Sequence, residues 1–397
     1  MNHTAKSILI TVSGEDQPGI TSNLMNIIMK GGYHISDIGQ SVTHGLLSLS
    51  ILLDISSSND NDFPVLKELL FASKTMGLNL DFKMIEGDNH YLNIPFHNFI
   101  LSCVSINNIP ASFLYDLSTA LSDHKINIHR IENIGKPSSF NSLEIYTRTA
   151  KDIDWISIKN KLMHISSKHS IDIAFLKDNV YRKNKRLIVM DMDSTLIQNE
   201  VIDEMATVAG FGEQVSAITK DAMNGKINYN ESLIQRVNFL KGLKTSELEA
   251  IFSTLELTVG AEDFITSVKK LGYKIAIISG GFNFFANKLK TKLRLDYAFA
   301  NELEFEGDTL TGRVKGTIID ADQKEILLKM IAQQEEISLE QVVAIGDGAN
   351  DLPMLSCAGL GIAYHAKDVV KDKAQHSLSH GPMTSILYFL GIPGIID

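Results

Sequence analysis

Cysteine is nearly absent: Cys103 and Cys357 are the only two in 397 residues, which excludes a disulfide framework or a zinc cluster and leaves both as candidate core residues. A reducing cytoplasmic setting fits that scarcity. Cationic charge is also short. Lysine and arginine number 37 against 47 aspartates and glutamates, a formal charge of −10, whereas a non-specific nucleic-acid binder draws its affinity from concentrated Lys and Arg. Nucleic acid is excluded as a partner class. No apolar run approaches the ~18 uninterrupted residues of a membrane-spanning helix, and Met1 to Ile10 carries one Lys and no signal-peptide core. Neither membrane insertion nor export is expected. Tryptophan occurs once, at Trp155, where packing is the expected role, and the 12 histidines show no metal-ligand spacing.

What remains is the composition of a folded globular chain, 44% hydrophobic and 21% charged. At roughly 100 to 200 residues per domain, two to four domains are expected. Residues 7 to 84 alternate between short apolar strands and helical stripes in the order βαββαβ. In the first helix, predicted over Pro18 to Lys30, Ile20, Leu24, Ile27 and Ile28 form one apolar stripe, started by Asp16 and Pro18 and stopped by Gly31-Gly32. The same order returns from Phe99 to Lys177, and pairing Leu24 with Leu117, Ile28 with Leu121 and Ile35 with Ile128 gives one constant offset. An internal duplication follows. Domains are therefore placed at 1–86, 97–178 and 186–397. Glu86 to His97 is a polar linker, and Asp178 to Lys185, with Arg182, Lys183 and Lys185, is expected to be a solvated joint.

From Arg186 the pattern is α/β, with short apolar runs alternating with helices as in a doubly wound parallel sheet. Ligands in such sheets sit beyond the carboxyl ends of the strands. There, Leu187-Ile188-Val189-Met190 is followed by Asp191-Met192-Asp193-Ser194-Thr195, and two acids on one tight turn need a cation between them. Mg²⁺, held by one or two carboxylates together with phosphate oxygens, suits the place. A second strand ends in Gly346-Asp347-Gly348-Ala349-Asn350-Asp351, and Asp347 could complete that site. A third ends in Ser279-Gly280-Gly281, where a hydroxyl and free backbone N–H groups make a phosphate cradle. Acids, a metal seat and phosphate donors together suit phosphoryl transfer, with a carboxylate able to serve as nucleophile and a second acid as proton donor.

These runs, with Lys324, resemble the four motifs of the haloacid dehalogenase-like phosphatases, over roughly Arg186 to the C-terminus. Glu200, the stretch Ile218 to Gly225 and Arg236-Val237 are similar to phosphoserine phosphatases within that superfamily. The resemblance implies a Rossmann-like core with a helical cap at about 203–255, Asp191 as nucleophile and Asp193 as general acid and base. It also implies Mg²⁺ held by Asp191, the backbone carbonyl of Asp193, and Asp347. Ser279, Gly280, Lys324 and Asn350 would meet the substrate phosphate, with Asp351 orienting Lys324 and the metal shell. Glu200 would take the ammonium of phosphoserine and Arg236 its carboxylate, in a fork suited to a planar anion. Met223 and Tyr229 would lie in the cap, Tyr229 at a position where many relatives have Phe.

The N-terminal repeats resemble tandem ACT domains, ferredoxin-like modules that sense amino acids at paired interfaces. That likeness implies a homodimer and L-serine as a possible effector. The first repeat carries the family turn Asp16-Gln17-Pro18-Gly19; the second departs from it at Asn107-Asn108-Ile109-Pro110-Ala111 and is the less expected binder. Two enzymatic rivals stay open, a phosphotransferase to an acceptor alcohol and a phosphatase for another small phosphate. A third reading is a non-enzymatic amino-acid sensor.

Overall fold

The structure, a computed structural model, describes residues 6–55, 64–86, 96–135, 141–149, 153–223 and 226–396. Phe63, most of the first linker, and Asn224-Gly225 lie outside the described residues. The chain divides into two compact units, Met1–Pro95 and Phe96–Asp397.

The first unit runs β1(Lys6–Glu15), α1(Ile20–Lys30), β2(His34–Thr43), β3(Leu46–Asp54), α2(Pro64–Thr75), β4(Asn79–Glu86), with its antiparallel strands ordered β2-β3-β1-β4. Helix α1 starts at Ile20, two residues later than its sequence signals, because Gly19 takes a left-handed φ of 100° that ends the preceding turn. Its face of Ile20, Leu24 and Ile28 packs on Ile8, Ile10, Leu49, Ile51 and Leu53 of the sheet. Strand β3 buries alternate residues, as expected of a sheet with one covered face.

The second unit begins with the duplicated pattern: β5(His97–Val104), α3(Ala111–Asp123), β6(Asn127–Asn133), β7(Ser142–Thr149), α4(Trp155–His169), β8(Asp172–Lys177). Its sheet order, β6-β7-β5-β8, repeats that of the first unit. Even the irregularity recurs: β2 shifts register between Ile35 and Asp37, and β6 between Ile128 and Arg130. The covering differs. Ser142, Glu144 and Tyr146, on the face of β7 away from the helices, are all buried.

The α/β part that follows covers that face. Strands β9(Leu187–Met190), β10(Lys274–Phe282), β11(Tyr297–Glu306), β12(Thr309–Lys315), β13(Val342–Gly346), β14(Leu360–Tyr364) and β15(His376–Leu378) form one sheet ordered β12-β11-β10-β9-β13-β14-β15, parallel except for the β11–β12 hairpin. Along β9, Ile188 and Met190 enter one core while Leu187 and Val189 enter the other. That is the doubly covered parallel sheet expected from its uninterrupted apolar run. Helices α5(Val201–Val208), α6(Gly212–Met223), α7(Tyr229–Asn238) and α8(Thr245–Thr254) form the cap, whose two stems meet in a bridge between Ile197 and Leu257. Helices α9(Ala261–Lys270), α10(Asn283–Leu293), α11(Ala321–Gln334), α12(Leu352–Cys357), α13(Asp368–Lys373) and α14(Ile386–Phe389) complete the unit.

The joint between repeat and α/β part corrects one expectation. Arg182 and Lys185 are buried, 5% and 8% exposed, and are not solvated. Arg182 Nη2 donates to Glu144 Oε1, and Tyr146 Oη donates to Glu144 Oε2 at 2.6 Å. Buried Asp172 accepts from the backbone N–H groups of Ser379, His380 and Gly381, and Ser102 Oγ donates to the carbonyl of Tyr388. Composition cannot foresee this, because the partners lie some 40 to 290 residues away in sequence. Cys103 is buried as expected, and Cys357 only half so.

Candidate active site

β9 sits in the middle of the sheet, so the residue at its end is held from both sides. Asp191 N donates to the carbonyl of Ile345 on neighbouring β13 at 3.0 Å. The chain then turns tightly through Met192–Leu196, with Ser194 at a left-handed φ of 54°. This turn sends the two acids different ways. Asp191 Oδ1 accepts from Met192 N at 2.7 Å, and its Oδ2 accepts from Lys324 Nζ at 2.7 Å. Asp193 Oδ1 accepts from Val201 N, the first residue of α5, at 3.0 Å, while its Oδ2 lies 3.4 Å from Ser279 Oγ.

Lys324 reaches the cluster from α11, whose N-cap is Asp320. Its ammonium is fully buried and also donates to Asp351 Oδ1 at 2.7 Å. Burial works against that charge, but Asp191 and Asp351 outweigh it and hold the lysine above its ordinary value. Asp351 Oδ2 accepts from Gly348 N at 3.0 Å. Burial, then Asp191, pushes the Asp351 carboxyl up to about 6. Asp347 is pushed to about 7 by burial, Asp191 and Asp351, against the help of Thr195 Oγ1, which donates to it at 2.8 Å. Asp193 is raised well above the carboxylate range, first by burial and then by Glu200 and Asp191.

Asp191, Asp347 and Asp351 each bring one oxygen within 4.8 Å of the others. Three acids meet one lysine in a buried oxygen-only set, so a hard divalent cation fits the residual negative charge. Asp351 is engaged by Lys324 and Gly348 N, just as Asp191 is by Lys324 and Met192 N, and Asp347 accepts from Thr195 alone among the described residues. The Asp193 carboxyl faces α5 and Ser279.

Ser279, Gly280, Tyr229, Glu200 and Asn350 stand beside this centre. Ser279 Oγ accepts from Gly281 N at 2.8 Å, closing the cradle at the end of β10. Gly280 is pressed by the cap: an added Cβ would stand 2.1 Å from Tyr229 Oη, which donates to the Gly280 carbonyl at 3.2 Å. Glu200 accepts from Ser194 Oγ at 2.7 Å, and burial raises its carboxyl while the charge of Arg236 lowers it. Arg236, half-buried on α7, donates to the Ser232 carbonyl and to Thr219 Oγ1 at 3.3 and 3.5 Å, with no direct ion pair to Glu200 among the described residues. Asn350 folds over Gly348, where a Cβ would meet its Oδ1 at 2.1 Å. Met223 ends α6.

Sequence reasoning missed two supports. Buried Asn301 spans Gly280 and the next strand connection, donating to the Gly280 carbonyl at 2.8 Å and accepting from Ile319 N at 2.8 Å. Thr195, within the acidic turn after β9, positions Asp347. A β-strand asparagine in an otherwise apolar context was the available signal for the first.

A doubly wound sheet with three acidic or glycine-rich strand ends and a helical insert defines a haloacid dehalogenase-like hydrolase. That family's model matches residues 185–359, and an ACT-domain model matches residues 6–83. A phosphoserine phosphatase of Archaeoglobus fulgidus is 47% identical over 240 residues, covering 60% of this chain and 70% of that protein. Phosphoserine phosphatase SerB2 of Mycobacterium tuberculosis is 33% identical over 396 residues, 97% of this chain and 93% of its own length. The crystal structure of a haloacid dehalogenase family hydrolase from Salmonella enterica serovar Typhi superposes with a TM-score of 0.65 at 32% identity, over 74% of this chain and 98% of that one. The chain belongs to the phosphoserine phosphatases, enzymes of the phosphoric monoester hydrolase class. None of the described helices is long and apolar enough to cross a membrane.

Proposed function

We propose that the chain hydrolyses O-phospho-L-serine to L-serine and phosphate through an aspartyl-phosphate on Asp191, with Mg²⁺, as the last step of serine biosynthesis. The observation that carries this reading is the Asp191 carboxylate at the central strand end, gripped by buried Lys324 and facing Asp347. Asp191, Asp347 and the backbone carbonyl of Asp193 would hold Mg²⁺, which when bound would neutralise charge on the phosphoryl group. An Asp191 oxygen attacks phosphorus, the bond from phosphorus to the serine oxygen breaks, and Asp193 gives its proton to the departing oxygen. Asp193 then takes a proton from water, whose oxygen attacks the same phosphorus. The acyl phosphate bond breaks, phosphate leaves and Asp191 is restored.

Lys324 holds the reacting carboxylate in place and balances charge there throughout. Ser279, the Gly280 N–H and Asn350 receive the phosphoryl oxygens, while Glu200 and Arg236, under the cap, receive the ammonium and carboxylate of the substrate. Tyr229, bonded to Gly280, closes the cap over them. The ACT repeat, as an amino-acid-binding module, gives L-serine a place as effector and gives the chain a surface for a homodimer.

Asp191→Asn removes the nucleophile and is expected to abolish phosphate release from O-phospho-L-serine, with substrate still bound. Beryllium trifluoride should add to Asp191 in the wild type. Chelation should silence the enzyme, and Mg²⁺ should restore it. Phosphate release that survives Asp191→Asn would end the assignment. Phosphate transferred to added acceptor alcohols in place of water would make the enzyme a transferase.

A further inference from the structure

We infer that the cavity between the second βαββαβ repeat and the α/β part is a binding site for a small organic anion with an apolar body. The cavity encloses about 460 Å³, within the range of small-molecule sites. One wall comes from α4 and β8 of the repeat, including Trp155, Leu162 and Phe175. The opposite wall comes from α13, β14 and β15. It shares no residue with the Asp191 centre or with the Asn107–Ala111 turn.

Its polar lining has one sign. Lys159, Lys177, Arg182, Lys185, Lys371 and Lys373 line it, against the single acid Glu340, which is exposed. Arg182 is the strongest pointer. It is 5% exposed, and although Nη2 is bonded to Glu144, its Nε and Nη1 have no hydrogen-bond partner among the described residues. Guanidinium nitrogens that stay unsatisfied in a buried place are costly, and an anionic oxygen relieves that cost.

Two of the neighbouring ammonium groups, Lys159 and Lys185, meet neutral acceptors, while Lys371 Nζ is paired with Asp368 Oδ1 at 3.4 Å. Lys159 Nζ donates to the carbonyls of Asp372 and Ala374, and Lys185 Nζ to that of Glu340. Burial lowers both lysines, Lys185 to about 8, with the carboxylates of Asp372 and Glu340 returning only part of the loss. His376 is driven down to about 4 by burial and then by those two lysines, which places all three around one positive field. The aliphatic and aromatic wall gives the anion's body somewhere to sit. An occupant would touch the repeat and the α/β part at once and so tie them together.

Trp155, the only tryptophan of the chain, lines the cavity with Phe99 and Phe175 against its ring, so its fluorescence reports occupancy. The probe is phenylphosphonate, which has no ester oxygen to lose, compared with neutral benzamide of similar shape. Expected is a saturable change in Trp155 emission with a Kd below about 1 mM and a raised melting temperature. Benzamide should do neither. Lys185→Gln and Lys371→Gln should each weaken the phenylphosphonate titration several-fold, and Arg182→Gln at least about tenfold. Because Arg182→Gln disturbs a buried pair and could fail to fold, the two lysine variants, with native circular dichroism, carry the decision. An equal response to benzamide, lysine variants that titrate like the wild type, or no saturable change in the folded wild type would overturn the site.

Discussion

The two βαββαβ repeats share a strand order and the same irregularity in their second strands, yet they end in different surroundings. In the first, the residues of β3 that point away from the helices, such as Ser50, Leu52 and Asp54, remain partly exposed. In the second, the matching face of β7 is sealed, with Glu144 held between Arg182 and Tyr146. A single template thus serves once as a unit closed on its own core and once as a wall of the catalytic unit. The difference lies in a handful of buried polar groups. Burial of such groups is tolerated only where partners answer them, so these positions mark where the repeat was fitted to its neighbour.

The contrast can be broken by mutation. Glu144→Leu strands the buried Arg182 and should cost about 3–5 kcal/mol in urea unfolding, most of it recovered when Arg182→Met is added. Leu52→Ala at the corresponding outward position of β3 should cost only about 1 kcal/mol. Equal losses at both sites would erase the distinction. Next in size, Asp172→Asn keeps the shape but gives up charged acceptance of three backbone N–H groups, for an expected loss of roughly 1.5–3 kcal/mol. The loss should appear as faster hydrogen exchange at Ser379 to Gly381.

A further effect is in pH. The His376 imidazole is pushed down to about 4 in the folded chain, by burial ahead of Lys159 and Lys185, whereas an unfolded histidine holds its proton up to about 6.5. Between those values the unfolded chain binds a proton that the folded one refuses, so stability falls as pH drops from about 6.5 toward 4. His376→Gln should flatten that part of the melting-temperature profile. Lys185, lowered to about 8 by burial, acts in the alkaline range. The unfolded chain keeps that proton up to about 10.4, so stability rises with pH between about 8 and 10.4. Lys185→Gln should remove the rise.

The convergence of the acidic and glycine-rich strand ends was legible because its pattern is local. Asp191, Ser279 and Asp347 each follow an apolar run that can only be a buried strand, and parallel strands deliver their ends to one edge. The duplication was legible because helix period and strand period alternate twice over. The joint was not. Arg182-Lys183-Asn184-Lys185 is too short to show a period, and basic residues next to a linker suggest solvent, although two of them are buried. Strand β7 alternates polar and apolar residues like any half-exposed strand, since the group that answers its buried Glu144, Arg182, lies beyond α4 and β8 in the chain. Strand β15 is three residues of mixed polarity and is fixed by pairing with β14 and by Asp172, which holds the backbone just after it. Gly280 was assigned to the phosphate. Its carbonyl also receives Tyr229 and Asn301, a spatial fact with no trace in spacing.

The parts of the reacting centre are scattered along the polypeptide: the carboxylate at 191, its ammonium at 324, the accompanying acids at 347 and 351. A nascent chain leaving the ribosome therefore carries the first of these long before the last exists. Until β13 has slotted in beside β9, Asp191 lacks both the carbonyl that fixes its amide and the neighbours that set its charge. If the proposed centre carries the chemistry, competence to handle a phosphate ester arrives only once β13 is in place, and a chain ending before it is expected to be inert.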